Sequence, residues 1–214
     1  MPKRYSLSEF ESKELLQSYG IKITKDAIVN SADEAIEQSE IIGYPVVLKI
    51  SGAEFSHKTE LNGVKLNLDN ETSVRNAVAD LYKSIDGQTP LLISEQVKSS
   101  REFIAGVTRN DEYGLVLAFG VGGIFTEIIK DVVFRLLPAS REEIRSMFDE
   151  LLHKEIFGEV RGEPEVNLEK LAKTLAALGE CAMDREDILS IDVNPLLIND
   201  GMPVAVDALV ELYE

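Results

Sequence analysis

The sequence predicts an α+β protein of two lobes, and three observations carry that prediction. Helical periodicity covers 7–19, 31–42, 71–84, 140–152 and 167–183. Short β-branched or aromatic strands crowd the stretch after residue 91, and helices and strands do not alternate regularly enough for one doubly wound sheet. At 214 residues and 44% hydrophobic, the chain has room for two small lobes with their own cores. The expected lobes are 1–94 and 95–214.

Each element has a local reason. Leu7, Phe10, Leu15, Leu16 and Tyr19 recur at helical spacing behind Ser6 or Ser8 as a cap, and Gly20 supplies the stop. Ser31-Ala32-Asp33-Glu34 is a capping-box signature, and Gly43-Tyr44-Pro45 ends that helix and opens the strand 46–50. A second strand, 64–68, sets Val64, Leu66 and Leu68 against Lys65 and Asn67, so one face is buried. Helix 71–84 and strand 91–97 follow, then strands at 102–109, 113–119, 124–129 and 131–137. Strands 188–194, 195–199 and 203–210 close the chain.

Composition excludes several functions. A net charge of −16 disfavours a nucleic-acid partner, which needs clustered Lys and Arg, but leaves room for a nucleotide held by a few local cations and a metal. No apolar run approaches the ~20 residues needed to span a bilayer. The N-terminus, Met1 to Ser6, has no signal-peptide core. The single cysteine, Cys181, rules out an intramolecular disulfide and a Cys-based zinc site, and its helical setting reads as a buried thiol. The expectation is a soluble cytoplasmic protein without membrane contact.

Four constellations bear on chemistry. Asn199-Asp200-Gly201-Met202 is a strong hairpin turn. With Asp200 and Gly201 at its centre, Asn194 faces Asp207, and Asp192 shares their face two residues back. Such oxygen-only donors suit Mg²⁺; the alternative is a set of solvated polar residues, although carboxylates within apolar strands are costly without a partner. Lys49 lies in the apolar strand 46–50, where an ammonium either meets an anion such as nucleotide phosphate or snorkels to water. The aperiodic stretch from Ser51 to Gly63 is longer than most structural connections and carries His57 near its middle. That His is either a surface residue or a nucleophile, because imidazole is largely unprotonated at neutral pH. Phe119 to Glu127 is rich in glycine but fits neither a Rossmann fingerprint nor a P-loop, and reads as an anion-approaching loop or a tight turn.

Taken together these stretches resemble the ADP-forming acyl-CoA synthetases. His57-Lys58-Thr59-Glu60 with Gly63-Val64 is similar to the family's H-K-T-D-x-G-G-V motif. Glu95-Gln96-Val97, Arg101 to Val107, Phe119 to Glu127, Lys130-Asp131, Phe134-Arg135 and Pro138 follow its order. Arg161-Gly162, Asp192 to Leu196 and Val206-Asp207-Ala208 complete it. Glu60 and Asn62 depart from the motif, standing where the family has Asp and Gly, and bear on how the loop moves.

The resemblance implies an ATP-grasp fold, with ATP or ADP bound between two lobes. It implies that Lys49 holds phosphates, that Glu95, Gln96 and Val97 border adenine, and that Glu102 lies toward the ribose or phosphates. Gly122 and Gly123, in the glycine-rich loop, would also bind the nucleotide. Asn194 and Asp207 would bind Mg²⁺, with Asp192 behind them. His57 would take a phosphoryl group from a partner subunit's histidine and pass it to ADP, with Glu127 as a second catalytic residue. The reaction implied is acyl-CoA + ADP + phosphate giving acid + CoA + ATP. A CoA-binding α subunit is implied, in an α₂β₂ assembly. A free-standing ligase making an acyl phosphate, or a nucleotide-sensing module without turnover, would share most of these residues.

Overall fold

The computed structural model describes residues 3–51, 63–85, 89–123 and 130–213. It divides into two compact units: Met1–Leu7, Glu11–Ile23 and Lys98–Glu214 form one, and Ser8–Phe10 with Thr24–Val97 the other. The sequence assigns the leading helix to the first lobe. Instead, most of it groups with the last 117 residues (98–214), for reasons visible in its side chains.

The smaller unit is a four-stranded antiparallel sheet in the order β2 (Asp26–Val29), β5 (Leu91–Glu95), β3 (Val46–Ile50), β4 (Val64–Leu68). Helices α2 (Ala32–Ile42) and α3 (Glu71–Ser84) cover one face, packing Ala35, Val74, Val78 and Leu81 with Val46, Leu48 and Ile50. The Ser31 hydroxyl caps α2 by accepting from the Glu34 amide. The returning Glu34 carboxylate, however, accepts from the Asn30 amide at 2.8 Å, one residue earlier than a capping box requires.

In the larger unit, one antiparallel sheet runs β1 (Arg4–Ser6), β11 (Ala208–Tyr213), β9 (Ile188–Asn199), β6 (Glu102–Asn110), β7 (Gly114–Val121), β8 (Val132–Leu136), with β10 (Met202–Ala205) also on β9. Strand β6 alternates as period two demands: Phe103, Ala105 and Val107 enter the core, while Glu102, Ile104 and Gly106 take the other face. Helices α4 (Arg141–Glu150) and α5 (Leu168–Asp184) close the core side. Phe103, Phe119, Phe148 and Phe157 meet there with ring centroids 5.2–6.5 Å apart. Cys181 is buried in the same cluster, and desolvation pushes its thiol up to about 11, as an inert core sulfur requires.

Helix α1 (Glu9–Ser18) departs from its hydropathy pattern. Its buried positions are Glu9, Ser12, Lys13 and Leu16, a stripe at i, i+3, i+4 and i+7 that is mostly polar, whereas Phe10 and Leu15 are half-buried. The stripe is tolerated because its polar atoms are partnered: Ser12 accepts from the Val210 amide at 3.1 Å, and Lys13 donates to the Val206 carbonyl at 3.1 Å. These bonds, and the pairing of β1 with β11, explain why the leading segment follows the larger unit. Gly20, at φ +81°, ends the helix as the sequence implies.

The described residues contain four non-glycine residues at positive φ: Asn67, Asp200, Lys130 and Arg161. Asn and Asp are the types that tolerate this region; an Arg there is strained. Arg161 and Gly162 are the central pair of a tight turn bridging Val160 and Glu163. Arg161 is exposed. Arg161→Asn should therefore raise the melting temperature, by about 2 °C for a relief near 0.7 kcal/mol; a fall in a calorimetric scan would contradict the strain.

Candidate functional site

The hairpin at the end of the chain sets the geometry of one cluster. Asp200 (φ +49°) and Gly201 (φ +74°) form its turn, and Met202 pairs with Asn199 and Ala205 with Leu196. The same register continues where β11 meets β9: Ala208 pairs with Val193 and Leu209 with Asp192. Between these, the Asn194 amide donates to the Asp207 carbonyl at 3.2 Å, so Asn194 and Asp207 are opposed as the turn implies. One difference is that 188–199 is a single strand, while the predicted strand 203–210 is split between β10 and β11.

Asp192 and Asn194 project from the exposed positions of β9, on the face away from the helices. Although the Asp192 side chain reaches solvent, desolvation raises its carboxyl above the usual carboxylate range, and the neighbouring Asp207 and Glu211 carboxylates add to the rise. A cluster of like charges is what a divalent cation relieves, and the donors are all oxygen. No three His, Cys, Asp or Glu side chains among the described residues are grouped to hold an ion. A cation at such a set of oxygens would have most of its coordination completed by water and phosphate. On the same face a cavity of about 550 Å³ is lined by Arg4, Gly106, Thr108, Asp192, Glu211 and Tyr213.

At one end of this sheet lie Glu102, Gly122 and Gly123. The Gly122 amide donates to the Glu102 carbonyl at 2.7 Å, and a Cβ on Gly122 would stand 3.0 Å from the backbone carbons of Glu102 and Phe103. A Cβ on Gly123 would lie 3.4 Å from the Glu102 carboxylate. Gly122 is thus required by close approach of protein backbone to protein backbone. Glu127 lies outside the described residues.

In the smaller unit every residue of Val46–Ile50 is buried, Lys49 included. Lys49 Nζ is 2.5 Å from Glu9 Oε1, with 7% and 3% of the two side chains exposed. The sequence reading offered this buried ammonium an external anion or water; Glu9 is an internal partner it missed. The signal was present: Glu9, Ser12, Lys13 and Leu16 fall on one helical stripe.

The segment Glu95 to Val97 also has internal work. The Glu95 amide donates to the Lys25 carbonyl at 2.9 Å, and the Glu95 carboxylate accepts from the Lys25 amide at 3.4 Å. The Gln96 side-chain amide accepts from the Asn67 amide at 2.7 Å and donates to the Asn67 side chain at 2.8 Å. Val97 is half-buried. His57 lies outside the described residues.

A second missed residue is Arg101, only 1% exposed. Its guanidinium donates to the Gly158 carbonyl at 3.1 Å and the Pro164 carbonyl at 2.6 Å, and stands 3.4 Å from the Glu163 carboxylate. This ties the Arg161–Gly162 turn to the start of β6, beside Glu102.

The architecture and the ordered motifs define the class: the model of the ATP-grasp domain matches residues 2–212, and the protein is an ATP-grasp ligase. It is 36% identical over 208 residues to the β subunit of ADP-forming acetate–CoA ligase I of Pyrococcus furiosus, covering 94% of this chain and 90% of that one. The chain belongs to this family of ADP-forming acyl-CoA synthetases. It is also 33% identical to the ADP-forming 4-hydroxybutyrate–CoA ligase of Nitrosopumilus maritimus, but spans only 29% of that longer protein. Among solved structures, an acetyl-coenzyme A synthetase of Ca. Korarchaeum cryptofilum, in complex with coenzyme A and Ca-AMPCP, superposes with a TM-score of 0.92 at 33% identity, covering 97% of this chain and 93% of that one. A second structure of that enzyme, with Mg-AMPPCP and its phosphohistidine segment pointing towards the nucleotide-binding site, superposes with a TM-score of 0.86 at 34% identity, again over 97% of this chain and 93% of that one. Among the described residues no helix is long and apolar enough to cross a membrane.

Proposed function

We propose that the chain is the nucleotide-binding subunit of an ADP-forming acyl-CoA synthetase, which moves a phosphoryl group through His57 to ADP. The observation that supports this reading is the likeness, over 97% of the chain, to a Korarchaeum synthetase that holds Mg-AMPPCP and has a phosphohistidine segment; the assignment of His57 adds to it the resemblance of His57-Lys58-Thr59 to the family's H-K-T motif. In the direction of ATP synthesis, a CoA-binding α subunit delivers the phosphoryl group. An imidazole nitrogen of His57 supplies the electron pair of the new N–P bond while the bond to the donor breaks. A β-phosphate oxygen of ADP then attacks phosphorus, the N–P bond breaks with its electrons returning to the ring, and ATP leaves. The assembly proposed is α₂β₂, in the cytoplasm.

This chain's own groups bind and orient the nucleotide. Lys49 meets phosphate oxygens as a charged donor. Because the Glu95 and Gln96 side chains and the Gln96 amide are engaged within the smaller unit, the Gln96 carbonyl and the Val97 backbone are the parts proposed to read adenine. Glu102 accepts from ribose hydroxyls. Asn194 and Asp207, with Asp192 behind them, would hold Mg²⁺. Bound there, the ion neutralises charge on the phosphates. Glu127 is proposed as the second catalytic residue.

Calorimetry of ADP tests this directly. With excess Mg²⁺ the wild type should bind, and chelation by EDTA should weaken binding at least about 10-fold. Asp207→Ala should bind equally weakly with and without Mg²⁺. An Asp207→Ala protein that keeps the full Mg²⁺ effect would remove the metal assignment, and a wild type that never binds ADP would remove the whole reading.

A further inference from the structure

We propose that Glu9 is a positioning residue for the nucleotide site: its buried carboxylate keeps the Lys49 ammonium ionised and aimed, so that phosphate meets a charged donor across the neutral and alkaline range. The proposal rests on Lys49 being a phosphate contact.

Burying an ammonium favours its neutral form, and a lysine alone in an apolar strand titrates far below its ordinary value. A neutral amine would be a poor phosphate donor, so this site needs a device that holds the proton. Glu9 supplies one from outside the sheet. It is the first residue of α1, forty positions from Lys49, and its Oε1 lies 2.5 Å from Nζ. Ser8–Phe10 also groups with Thr24–Val97 although the helix continues into the other unit, so the start of α1 is placed by what it touches in the smaller one.

The sheet immediately around Lys49 is apolar. The cross-strand neighbours of Lys49 are Leu92 on β5 and Val64 on β4, both apolar. Asp26 shares that face through its pairing with Ser94, and its Oδ1 accepts from the Thr24 hydroxyl at 2.8 Å. Lys65 pairs with Leu48, so it takes the opposite face, and it reaches Asp80 at 3.7 Å. The α3 residues packed on that opposite face are Val74, Ala77, Val78 and Leu81. Lys13 follows Glu9 by one helical turn and donates to the Val206 carbonyl at 3.1 Å.

The role differs from mere filling of a helix end. A structural Glu9 would shift stability alone, whereas a proton-holding Glu9 sets the pH profile of nucleotide binding. Glu9→Gln keeps the shape and one acceptor but removes the charge. In calorimetric titrations with ADP and excess Mg²⁺ between pH 7 and 9, wild-type affinity should change less than about 3-fold. Glu9→Gln should match it within about 3-fold at pH 7 and weaken about 10-fold per pH unit above the lowered lysine pKa, as loss of one proton requires. Glu9→Asp, which keeps the charge, should restore the flat profile at a few-fold lower affinity.

A Glu9→Gln profile parallel to wild type, with Lys49→Met still weakening ADP, overturns the role of Glu9 and leaves the nucleotide reading intact. Absence of ADP binding by the wild type at every pH removes the nucleotide reading instead. Should Glu9→Gln fail to fold, the wild type decides by itself. Its lysine 13Cε resonances, with Lys49 assigned from Lys49→Arg, should show Lys49 charged beyond pH 9, and a midpoint below pH 9 overturns the proposal.

Discussion

His57→Asn will abolish phosphoryl transfer while leaving ADP binding within about 3-fold of wild type. Asparagine keeps a polar side chain of similar reach but has no nitrogen lone pair able to form an N–P bond, so the covalent step is lost rather than slowed. If all flux passes through that step, turnover of the complete complex should fall by about 10⁴-fold or more, as for other covalent nucleophiles. The measurement is incorporation of label from γ-labelled ATP with Mg²⁺. Wild type should acquire acid-labile, alkali-stable label, as a phosphorylated imidazole does, and His57→Asn should acquire none. Retained label would move the phosphoryl carrier to another residue, and label that survives acid would mean an ester instead. Binding should survive because the proposed nucleotide contacts, Lys49, the Gln96–Val97 backbone, Asn194 and Asp207, are elsewhere in the chain.

How much of this was legible in the sequence depended on how local the cause was. The Asp200–Gly201 turn fixes its own register, and one arithmetic relation then predicts every pair from Asn199–Met202 to Ser190–Glu211. That is why the opposition of Asn194 and Asp207 could be read without a fold. The same logic missed that the chain leaves the pairing of β10 and rejoins it as β11 without losing count. Helix α1 failed in the opposite way. Its apolar residues gave the right element and side chains that do pack on the core (Leu7, Leu15, Leu16 and Tyr19), but not the polar part of the buried stripe, because burial of Glu9, Ser12 and Lys13 is decided by partners 40, 198 and 193 residues away. The glycine-rich stretch reads from the sequence as an anion-approaching loop or a tight turn, whereas in the structure Gly122 makes room for the Glu102–Phe103 backbone. His57 and Glu127, the two expected catalytic residues, lie outside the described residues, so their roles stand on motif order and on experiment.

Arg101→Met should cost about 3 kcal/mol of stability, or roughly 10 °C in melting temperature, the largest loss expected from a residue outside the proposed nucleotide contacts. The argument runs through what is left behind. Methionine fills much of the volume of the buried stem, so the cost is not a cavity. It is the loss of donors to the Gly158 and Pro164 carbonyls and of the cation beside Glu163. Two components can be separated by pH. Burial alone would raise the Glu163 carboxyl, but hydrogen bonds from Ser100 and the Arg101 charge outweigh it and hold the group below the usual range. A depressed carboxyl contributes stability above its unfolded pKa and loses it as pH falls through the folded one. The gap between wild type and Arg101→Met should therefore be widest near neutrality and narrow in acid, down to a remainder set by the two carbonyl bonds, which do not titrate. Arg101→Lys should recover the charge-dependent part better than the rest, since an ammonium cannot span both carbonyls in the fork geometry of a guanidinium. A gap that stays constant from pH 7 to pH 3 would assign the whole effect to the carbonyls. No gap at all would mean that the turn carrying Arg161 and Gly162 is held to β6 by something other than Arg101.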